Sequence, residues 1–415
     1  MKIPSKYYDV IVVGGGAAGM IAAGVAAARG KHVLLLEKNA SLGEKLKITG
    51  GGRCNITNAE YDPHVFLKHY GEAEKFLYSS FSQFGVPETF QFFESRGLPL
   101  VVQARSRVFP KTERAYDVFK TLKRNCEKMG VEVRTGCAVK KIIHAKDKIV
   151  GVETEQGILR AKSFIVATGG ISHPETGSTG NGLQWLKDLG HTVKAPTPTI
   201  VPLRVADAWA KSLAGVSLSF MRITFFCEGK KQFSKLGKVL FTHFGLSGPL
   251  ILNCAGEVSD LLQDGRVTAT IDAFPDTDLG SLEKQIVKIF NANKNKALST
   301  VFKLIAPDGT AEAIATLLPD IHFTTKVHSV TKESRKKIVD LLKALPVTIT
   351  SLMGYDRAVV ADGGVVLPEI DQRTMRSKRF HNLYIIGDLL HINRPSGGFS
   401  LQLCWTTGYV AGSNV

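Results

Sequence analysis

The residues with the clearest chemical potential lie in the segment KITGGGRCNITN, residues 47–58. Three consecutive glycines, Gly50, Gly51 and Gly52, would let backbone N–H groups face a ligand without steric conflict. Arg53 could offset negative charge on that ligand, and the thiol of Cys54 could serve as a general acid. The alternative for Cys54 is a small buried residue that packs beside the ligand.

A second glycine-rich segment, GGGAAG at residues 14–19, follows the apolar segment YDVIVV. Gly14, Gly16 and Gly19 form a G-x-G-x-x-G pattern, an alanine-rich helix should run to about Arg29, and the next strand, HVLLLEK, carries Glu37 near its end. This order predicts a dinucleotide site in which the helix N-terminus binds the pyrophosphate and the acid binds the adenosine ribose. The alternative is a glycine-rich turn in an ordinary α/β protein.

Three further segments favour FAD over NAD. Glu37 is followed by a long loop instead of a prompt third strand, and two later apolar strands end in glycine-containing turns, FIVATGG at 164–170 and LYIIGD at 383–388. We expect all three strands to end at the same carboxyl edge of one parallel sheet, where open α/β sheets bind ligands.

The predicted cofactor-binding residues come from these segments and from the glycines before the last apolar segment. They are Gly14, Gly16, Ala17, Ala18, Gly19, Glu37, Lys38, Lys45, Thr49, Gly50, Gly51, Gly52, Arg53, Cys54, Asn55, Val139, Ala167, Thr168, Gly169, Gly170, Gly387, Asp388, Gly397, Gly398 and Phe399. For Val139 a plain strand valine is an equal alternative.

Composition and cysteine usage narrow the class of protein. The 53 Lys and Arg against 37 Asp and Glu leave a net charge of +16, which suits a polyanionic partner or an anionic cofactor. None of the 6 cysteines forms a C-x-x-C pair, so we expect neither a disulfide framework nor a metal site, and disulfide-reductase chemistry is disfavoured. We expect a protein of the reducing cytoplasm without a membrane span, because Asp9 and the glycines interrupt the apolar N-terminal segment.

The predicted fold class is α/β, with an interrupted Rossmann-like FAD domain of the two-dinucleotide type. We expect residues 1–195 and 346–415 to form the FAD-binding domain, with residues 60–125 mainly helical. Proline-rich APTPTIVPLR marks the boundary to an inserted β-rich, barrel-like domain at 196–278, and a helical domain follows at 279–345.

Six motifs resemble those of the BaiN/RdsA-like family of flavoproteins, also called HI0933-like, which includes a ribosomal-RNA dihydrouridine synthase. They are GGGAAG, KITGGGRCNITN, RVFPKTERAYDV, ATGGISHPETGSTGNG, GKVLFTHFGLSGP and GDLLHINRPSGGFSLQLCWTTGYVAG. The resemblance implies bound FAD, reduced by NADH or NADPH that docks transiently. The C-terminal motif departs from the family pattern, with His391 in place of an acid and Ser400 in place of an asparagine.

This resemblance implies ribosomal RNA as a substrate, and basic segments would have to bind it. The candidate RNA-binding residues are Arg105, Arg107, Lys111, Arg114, Arg376, Lys378 and Arg379. Phosphate contacts of this kind give sequence-independent affinity, although a solvated helix face is the favoured interpretation of each basic run taken alone.

Three functions stay open at this point. The leading one is reduction of the C5=C6 bond of a uridine in 23S ribosomal RNA, with Cys54 as the proton donor and Cys404 as a weaker candidate. The second is oxidation or reduction of a small unsaturated or amine-bearing metabolite, and the third is a non-catalytic flavin-binding assembly factor. His173 and His243 lie in family motifs, but a structural role is favoured for both. The oligomeric state is open.

Overall fold

A computed structural model of the protein describes residues 7–415 and divides the chain into two compact units. The first unit comprises the chain up to Thr197 together with Val360–Val415, and the second comprises Pro198–Val359.

The chain up to the boundary contains ten strands and seven α-helices among its described residues. The strands are β1 (Tyr7–Val13), β2 (Val33–Leu36), β3 (Thr57–Asn58), β4 (Leu100–Gln103), β5 (Arg107–Pro110), β6 (Glu132–Arg134), β7 (Val139–Ala145), β8 (Lys148–Thr154), β9 (Gly157–Val166) and β10 (Val193–Pro198). The helices are α1 (Ala17–Ala28), α2 (Glu44–Ile48), α3 (Pro63–Leu67), α4 (Glu74–Phe81), α5 (Val86–Glu94), α6 (Ala115–Lys128) and α7 (Asn181–Asp188).

The second unit contains a closed barrel and six helices. Its strands are β11 (Leu203–Val205), β12 (Ser217–Cys227), β13 (Lys230–Thr242), β14 (Gly245–Ser247), β15 (Val267–Asp272) and β16 (Leu345–Leu352), in the order β11-β14-β13-β12-β15-β16. Its helices are α8 (Ala208–Ser212), α9 (Pro249–Asp264), α10 (Leu279–Ala292), α11 (Leu298–Phe302), α12 (Ala311–Ala315) and α13 (Lys332–Lys343). The chain then returns to the first unit with β17 (Ala361–Val365), β18 (Leu383–Ile385) and α14 (Phe399–Asn414).

The main sheet of the first unit confirms the predicted α/β class. Strands β6, β2, β1 and β9 lie side by side and parallel, and β18 pairs in parallel with the C-terminal half of β9. Val13 pairs with both Leu36 and Val166, and Ile385 pairs with Val166. The three strands that were expected to end at one edge therefore do so, and the turns that follow them meet there.

Two features differ from the sequence-based expectations. Residues 100–110 form a β-hairpin, β4 and β5, within the segment predicted to be mainly helical. Residue 346, the expected return to the FAD domain, lies instead in barrel strand β16, which pairs with both β15 and β11. A strand with alternating buried and exposed residues has the same sequence pattern in either domain. Only the strands with which it pairs show that β16 belongs to the barrel.

The barrel and the helices that follow it share one hydrophobic core, although the sequence predicted two separate domains. Phe225 and Ile271 of the barrel belong to the same buried cluster as Ile286, Phe290 and Ile338 of helices α10 and α13. The helices cover apolar barrel surface, so neither part buries its apolar side chains alone.

Helix α14 packs against α1 through glycine contacts. A Cβ atom at Gly408 would lie 2.6 Å from the carbonyl oxygen of Ala18, and one at Gly412 would lie 2.5 Å from that of Ala22. Nearby Trp405 is fully buried and donates from Nε1 to the carbonyl oxygen of Ile56, 2.9 Å away. The two helices therefore approach as closely as their backbones allow. Within residues 7–415, none of the helices combines the length and apolar character that crossing a membrane requires.

This packing predicts opposite effects for the same substitution in two helices. Gly408→Ala should lower the free energy of unfolding by about 1–3 kcal/mol, because the new methyl group clashes with a backbone oxygen. The control Gly256→Ala in α9 should raise it by about 0.5–1 kcal/mol, because the nearest atom to that Cβ position is 3.9 Å away. Denaturant unfolding of both variants tests the packing, and equal effects would contradict it.

Candidate cofactor and active site

The glycines that follow β1 have three different surroundings. Gly14 has a φ of 107°, and a Cβ atom on it would lie 2.5 Å from the carbonyl oxygen of Ala167. A Cβ atom on Gly19 would lie 1.9 Å from the carbonyl oxygen of Gly14, whereas a Cβ atom on Gly16 would meet no other group within 4 Å. Gly14 and Gly19 thus allow close backbone packing, and the space beside Gly16 stays open for a ligand.

The N-terminus of α1 faces this open space. Gly16 is the N-cap residue and provides no side chain to bind the first N–H groups, which belong to Ala17 and Ala18. Across residues 7–415, Thr168 Oγ1 is one of the buried side-chain atoms without a hydrogen-bond partner. Free N–H groups at a positive helix end and an unpaired hydroxyl are groups that an anionic ligand such as a pyrophosphate would satisfy.

Glu37 lies at the end of β2, on the wall of a cavity. Its carboxylate accepts hydrogen bonds from the backbone N–H groups of Gly15 and Asn39, both at 2.8 Å. A carboxylate has further acceptor positions, and those that face the cavity are suited to ribose hydroxyls. The cavity measures about 110 Å³, and its walls include Lys38, Val139, Thr168, Thr179 and Trp185.

The turn after β9 and the turn after β18 lie next to each other. The N–H group of Ala167 donates to the carbonyl oxygen of Val13 at 2.8 Å, and Gly169 has a φ of 73°. A Cβ atom on Gly170 would lie 3.4 Å from the carbonyl oxygen of Asp388, and one on Gly387 would lie 3.3 Å from Ala18 Cβ. The structure thus brings together residues from three predicted segments of the chain.

The sequence analysis did not identify Arg394, a buried guanidinium in this region. Its Nη2 donates to the carboxylate of Asp388, its Nε donates to Ser400 Oγ at 3.1 Å, and its Nη1 donates to the carbonyl oxygen of Ile392 at 2.7 Å. Ser400, which departs from the family pattern, therefore has a partner. One signal could have revealed this site: Arg394 is the only Lys, Arg, Asp or Glu among residues 389–415.

Lys45 and Cys404 lie close to this ion pair. Lys45 Nζ donates to Ser172 Oγ at 3.0 Å, and burial lowers the pKa of Lys45, although the carboxylate of Asp388 opposes that shift. Burial raises the pKa of the Cys404 thiol to about 12, with a further contribution from Asp388, so the thiol is neutral at pH 7. The Asp388 carboxylate, the Arg394 guanidinium and the Lys45 amine therefore lie close to an uncharged thiol here.

The triple glycine forms an exposed turn with left-handed backbone. The φ angles of Gly50, Gly51 and Gly52 are 58°, 67° and 83°, and Cβ atoms on Gly51 and Gly52 would meet no other group within 4 Å. A side chain at any of the three positions would be strained, and the backbone there lies open to a ligand. Thr49, which precedes the turn, donates from Oγ1 to the carbonyl oxygen of Leu46 at 2.7 Å.

The segment after this turn binds the glycines that precede α14. Asn58 Nδ2 donates to the carbonyl oxygen of Gly397 at 3.3 Å. With the Asn55 side-chain amide oriented so that both of its polar atoms have partners, its oxygen accepts from the N–H group of Gly398 at 3.0 Å. Tyr70 donates from its hydroxyl to the carbonyl oxygen of Phe399 at 2.9 Å. The predicted residues 50–55 and 397–399 are therefore held together, and their roles in cofactor binding stay predictions.

Arg53 is held by three neighbours. Its Nη2 donates to Gln103 Oε1 and to Glu113 Oε1, each at 2.6 Å, and its guanidinium lies over the ring of Phe109 with the centroid 4.3 Å away. Its Nε atom is buried and has no hydrogen-bond partner within the described chain. The guanidinium therefore keeps donors available while its position is fixed.

Cys54 is fully buried, with 0% of its surface exposed, and has a φ of 60°. Burial raises the pKa of its thiol to about 12, so the thiol keeps its proton at pH 7. A general acid must touch the reacting atom, and a fully buried thiol reaches a substrate only if the turn moves. The geometry favours packing, the alternative left open above, and the acid role stays an untested prediction.

The histidines singled out in the sequence occupy different surroundings. His173 Nδ1 lies 2.8 Å from Glu175 Oε1, and His391 Nδ1 lies 3.3 Å from Asp362 Oδ1. His243 is exposed beside the ring of Phe244. The Glu175 carboxylate orients the ring of His173, which suits a structural role, whereas His391 Nδ1 is buried and has no hydrogen-bond partner among the described residues.

The candidate RNA-binding residues are exposed, except for half-buried Arg107. Arg105 lies in the turn between β4 and β5 with a φ of 61°, and Arg107 Nε donates to the carbonyl oxygen of Ala104 at 3.2 Å. In the other group, Lys378 Nζ donates to the carbonyl oxygen of Pro368 at 2.9 Å, and Arg379 pairs with Glu369 at 3.3 Å. Arg379 is therefore partly neutralised.

Comparison with protein families identifies the class of this site. The family described as "HI0933-like protein Rossmann domain" matches residues 8–414. The chain belongs to the HI0933-like family. This family of FAD-dependent oxidoreductases is the one whose motifs the sequence resembles, and the free N–H groups, unpaired Thr168 hydroxyl and open cavity beside Glu37 fit FAD.

Two similar proteins of the HI0933-like family carry different names. A "3-dehydro-bile acid delta(4,6)-reductase" of Clostridium scindens is 28% identical over 97% of this chain and 97% of its own. A "Ribosomal RNA dihydrouridine synthase" of Haemophilus influenzae is 28% identical over 99% of both chains. The two are equally similar to this chain, so identity alone does not select a substrate.

Solved structures support the fold. The crystal structure of a 3-ketosteroid-delta4-(5alpha)-dehydrogenase from Rhodococcus jostii RHA1 aligns with 100% of this chain and 98% of its own, with a TM-score of 0.55 and 16% identity. At this identity the likeness shows a shared fold and nothing about substrate.

The open space beside Gly16 predicts a variant that folds and does not bind FAD. Gly16→Val should remove bound flavin from the purified protein, because the side chain fills the space beside the helix N-terminus. The stability of the FAD-free form should fall by no more than about 1 kcal/mol, since only the N-cap preference changes. Absorbance at 450 nm and thermal unfolding of FAD-free protein measure the two effects.

Gly19→Val is the matched control. Its side chain would clash with the carbonyl oxygen of Gly14, so this variant should be unstable even without flavin. Full flavin content in Gly16→Val would refute the assignment of this space to the cofactor.

Proposed function

We propose that the protein is an NAD(P)H-consuming, FAD-dependent reductase of the C5=C6 bond of a uridine in 23S ribosomal RNA. The second candidate is a small metabolite whose C=C bond is conjugated to a carbonyl, which the bile-acid reductase relative favours. Uridine and such a ketone share one feature: a carbonyl that makes the neighbouring C=C bond able to accept a hydride.

The observation that carries the RNA proposal is the attachment of a basic turn to the glycine loop. Asn58 Nδ2 donates to the carbonyl oxygen of Arg105 at 3.2 Å, and the N–H group of Ala59 donates to that of Ser106 at 2.6 Å. A phosphate bound by Arg105 or Arg107 would therefore lie beside the glycine loop, which is part of the candidate flavin site. The successive phosphates of an RNA strand can bind several exposed cations there, whereas a small metabolite would bind few of them.

The chain's own residues would perform three tasks. Gly16, Ala17 and Ala18 would hold the pyrophosphate by their N–H groups, and Glu37 would bind the ribose. When bound, FAD would supply a hydride to one carbon of the C=C bond, with NADH or NADPH as the source of its electrons, and water would supply the proton for the other carbon. Arg53, fixed by Glu113, would donate to the substrate carbonyl and stabilise negative charge as the hydride arrives.

Nucleoside mass spectrometry of ribosomal RNA tests the proposal directly. A host that lacks its own enzyme of this kind should gain dihydrouridine in 23S RNA when it expresses this protein. Absence of dihydrouridine from cells that contain folded, yellow protein would refute the RNA substrate and favour the conjugated ketone, provided that the host RNA keeps the target uridine.

The basic turn predicts a specific kinetic change. Arg105→Ala with Lys111→Ala should raise KM for ribosomal RNA about tenfold and leave kcat and the rate of flavin reduction by NAD(P)H unchanged, because lost phosphate contacts weaken binding only. Lys146→Ala with Lys148→Ala is the matched control, since these exposed lysines lie in the β7–β8 turn. An equal rise in KM in both double variants would show that only net charge matters.

The buried thiol gives a separate prediction. Cys54→Ala should keep FAD, keep dihydrouridine formation within about threefold and lose about 1 kcal/mol of stability, as expected for a packing side chain. Cys126→Ala, at another fully buried thiol, should behave alike. A loss of more than about a hundredfold in Cys54→Ala alone, with flavin retained, would instead establish Cys54 as the proton donor.

A further inference from the structure

Strand β12 of the barrel contains a strained and exposed aromatic residue. The register between β12 and β13 shifts between Leu218 and Met221, which marks a β-bulge. Within it Phe220 has a φ of 61° and 61% of its surface exposed. Left-handed backbone is rare for a bulky residue, and bulges often re-aim a side chain near a functional surface.

The strand register shows which residues share the face of Phe220. Leu218, Met221 and Ile223 of β12 are buried in the barrel core, so Arg222, between the last two, points outward. Arg222 pairs with Leu236, which is 47% exposed, while Met221 pairs with Gly237. Residue 238 returns to the outer face because side chains alternate along a strand.

The outer face therefore has two exposed apolar side chains, Phe220 and Leu236, with Arg222 and Lys238 beside them. Across the part of the chain that the structure describes, neither Arg222 nor Lys238 forms an ion pair. Asp272, the neighbour of Arg222 on β15, is already paired with Lys343 at 2.7 Å. The cations of this face are thus available to an anionic partner.

We propose that Phe220, Arg222, Leu236 and Lys238 form a docking surface for single-stranded RNA. An unpaired base stacks on the ring of Phe220, and the flanking phosphates bind Arg222 and Lys238. The proposal rests on the proposed function, in which ribosomal RNA is the substrate, and adds to it a binding surface in the second unit. An aromatic ring beside two unpaired cations on the same face matches the alternating bases and phosphates of RNA better than it matches an apolar protein surface.

Substitution of Phe220 separates binding from folding. Phe220→Gly should raise the melting temperature, because glycine adopts a φ of 61° without strain. The same variant should weaken binding of a fluorescent single-stranded 23S RNA fragment about tenfold, as loss of one stacked base does. Leu304→Ala, at another apolar residue of this unit with 60% exposure, should bind like the wild type. A side chain kept only for packing would show the reverse: a lower melting temperature and unchanged binding.

The two cations have a separate signature in the salt dependence. Each phosphate contact to a single strand contributes about −0.7 to the slope of log K against log salt concentration. Arg222→Ala with Lys238→Ala should therefore make this slope less steep by about 1.4. An unchanged slope would overturn the proposed docking surface. A change in sedimentation without a change in RNA affinity would also overturn it, because that result would show an interface between copies of this chain.

Failure of this inference can be told apart from failure of the proposed function. RNA binding that depends on Phe220 in a protein that forms no dihydrouridine would keep the docking surface and refute the reaction. Dihydrouridine formation with wild-type RNA affinity in Phe220→Gly would refute the docking surface alone.

Discussion

The close approach of helix α1 to the backbone around it is the constraint on which the candidate site depends. Cβ atoms at Gly19 and Gly408 would lie 1.9 Å and 2.6 Å from carbonyl oxygens of neighbouring elements. Because side chains are missing at these points, the start of α1 can lie against the turns that follow β9 and β18. Its free N–H groups then face the edge where three parallel strands end, and Ala18 lies close to Gly387.

A second set of contacts joins distant parts of the chain at the same site. Asn58 and Gly397 are 339 residues apart in sequence, yet their side-chain amide and carbonyl are bonded, and Thr57 Oγ1 is bonded to Gln402 Oε1 at 2.7 Å. The glycine turn therefore depends on α14 for its position. Since α14 also packs on α1, a change in either helix should reach both the pyrophosphate end and the glycine-turn end of the site.

The sequence predicted those features that local backbone geometry requires. Gly14, Gly19 and Glu37 could be placed because a strand, a tight turn, a helix and a second strand follow one another in a short segment. Two contacts could not be predicted, because they depend on which turns meet in space. They are the ion pair of Arg394 with Asp388 and the hydrogen bond from Arg53 to Glu113. The same limit explains strand β16, whose partners in the barrel are not visible in its own residues, and Phe220, whose exposure arises from a bulge.

Two residues, His391 and Ser400, differ from the family pattern, and their surroundings bear on which parts of the chain select the substrate. Ser400 accepts a hydrogen bond from Arg394, whereas the buried Nδ1 atom of His391 lies beside Asp362 without a hydrogen-bond partner in the described chain. Two relatives with the same sequence identity to this chain have names that give different substrates, although both match this chain over nearly its whole length. A difference in substrate between such similar chains would depend on individual side chains rather than on the fold. Under the proposed function, the exposed cations beside the glycine turn and the aromatic ring beside cations on the barrel would bind the phosphates and a base of the RNA.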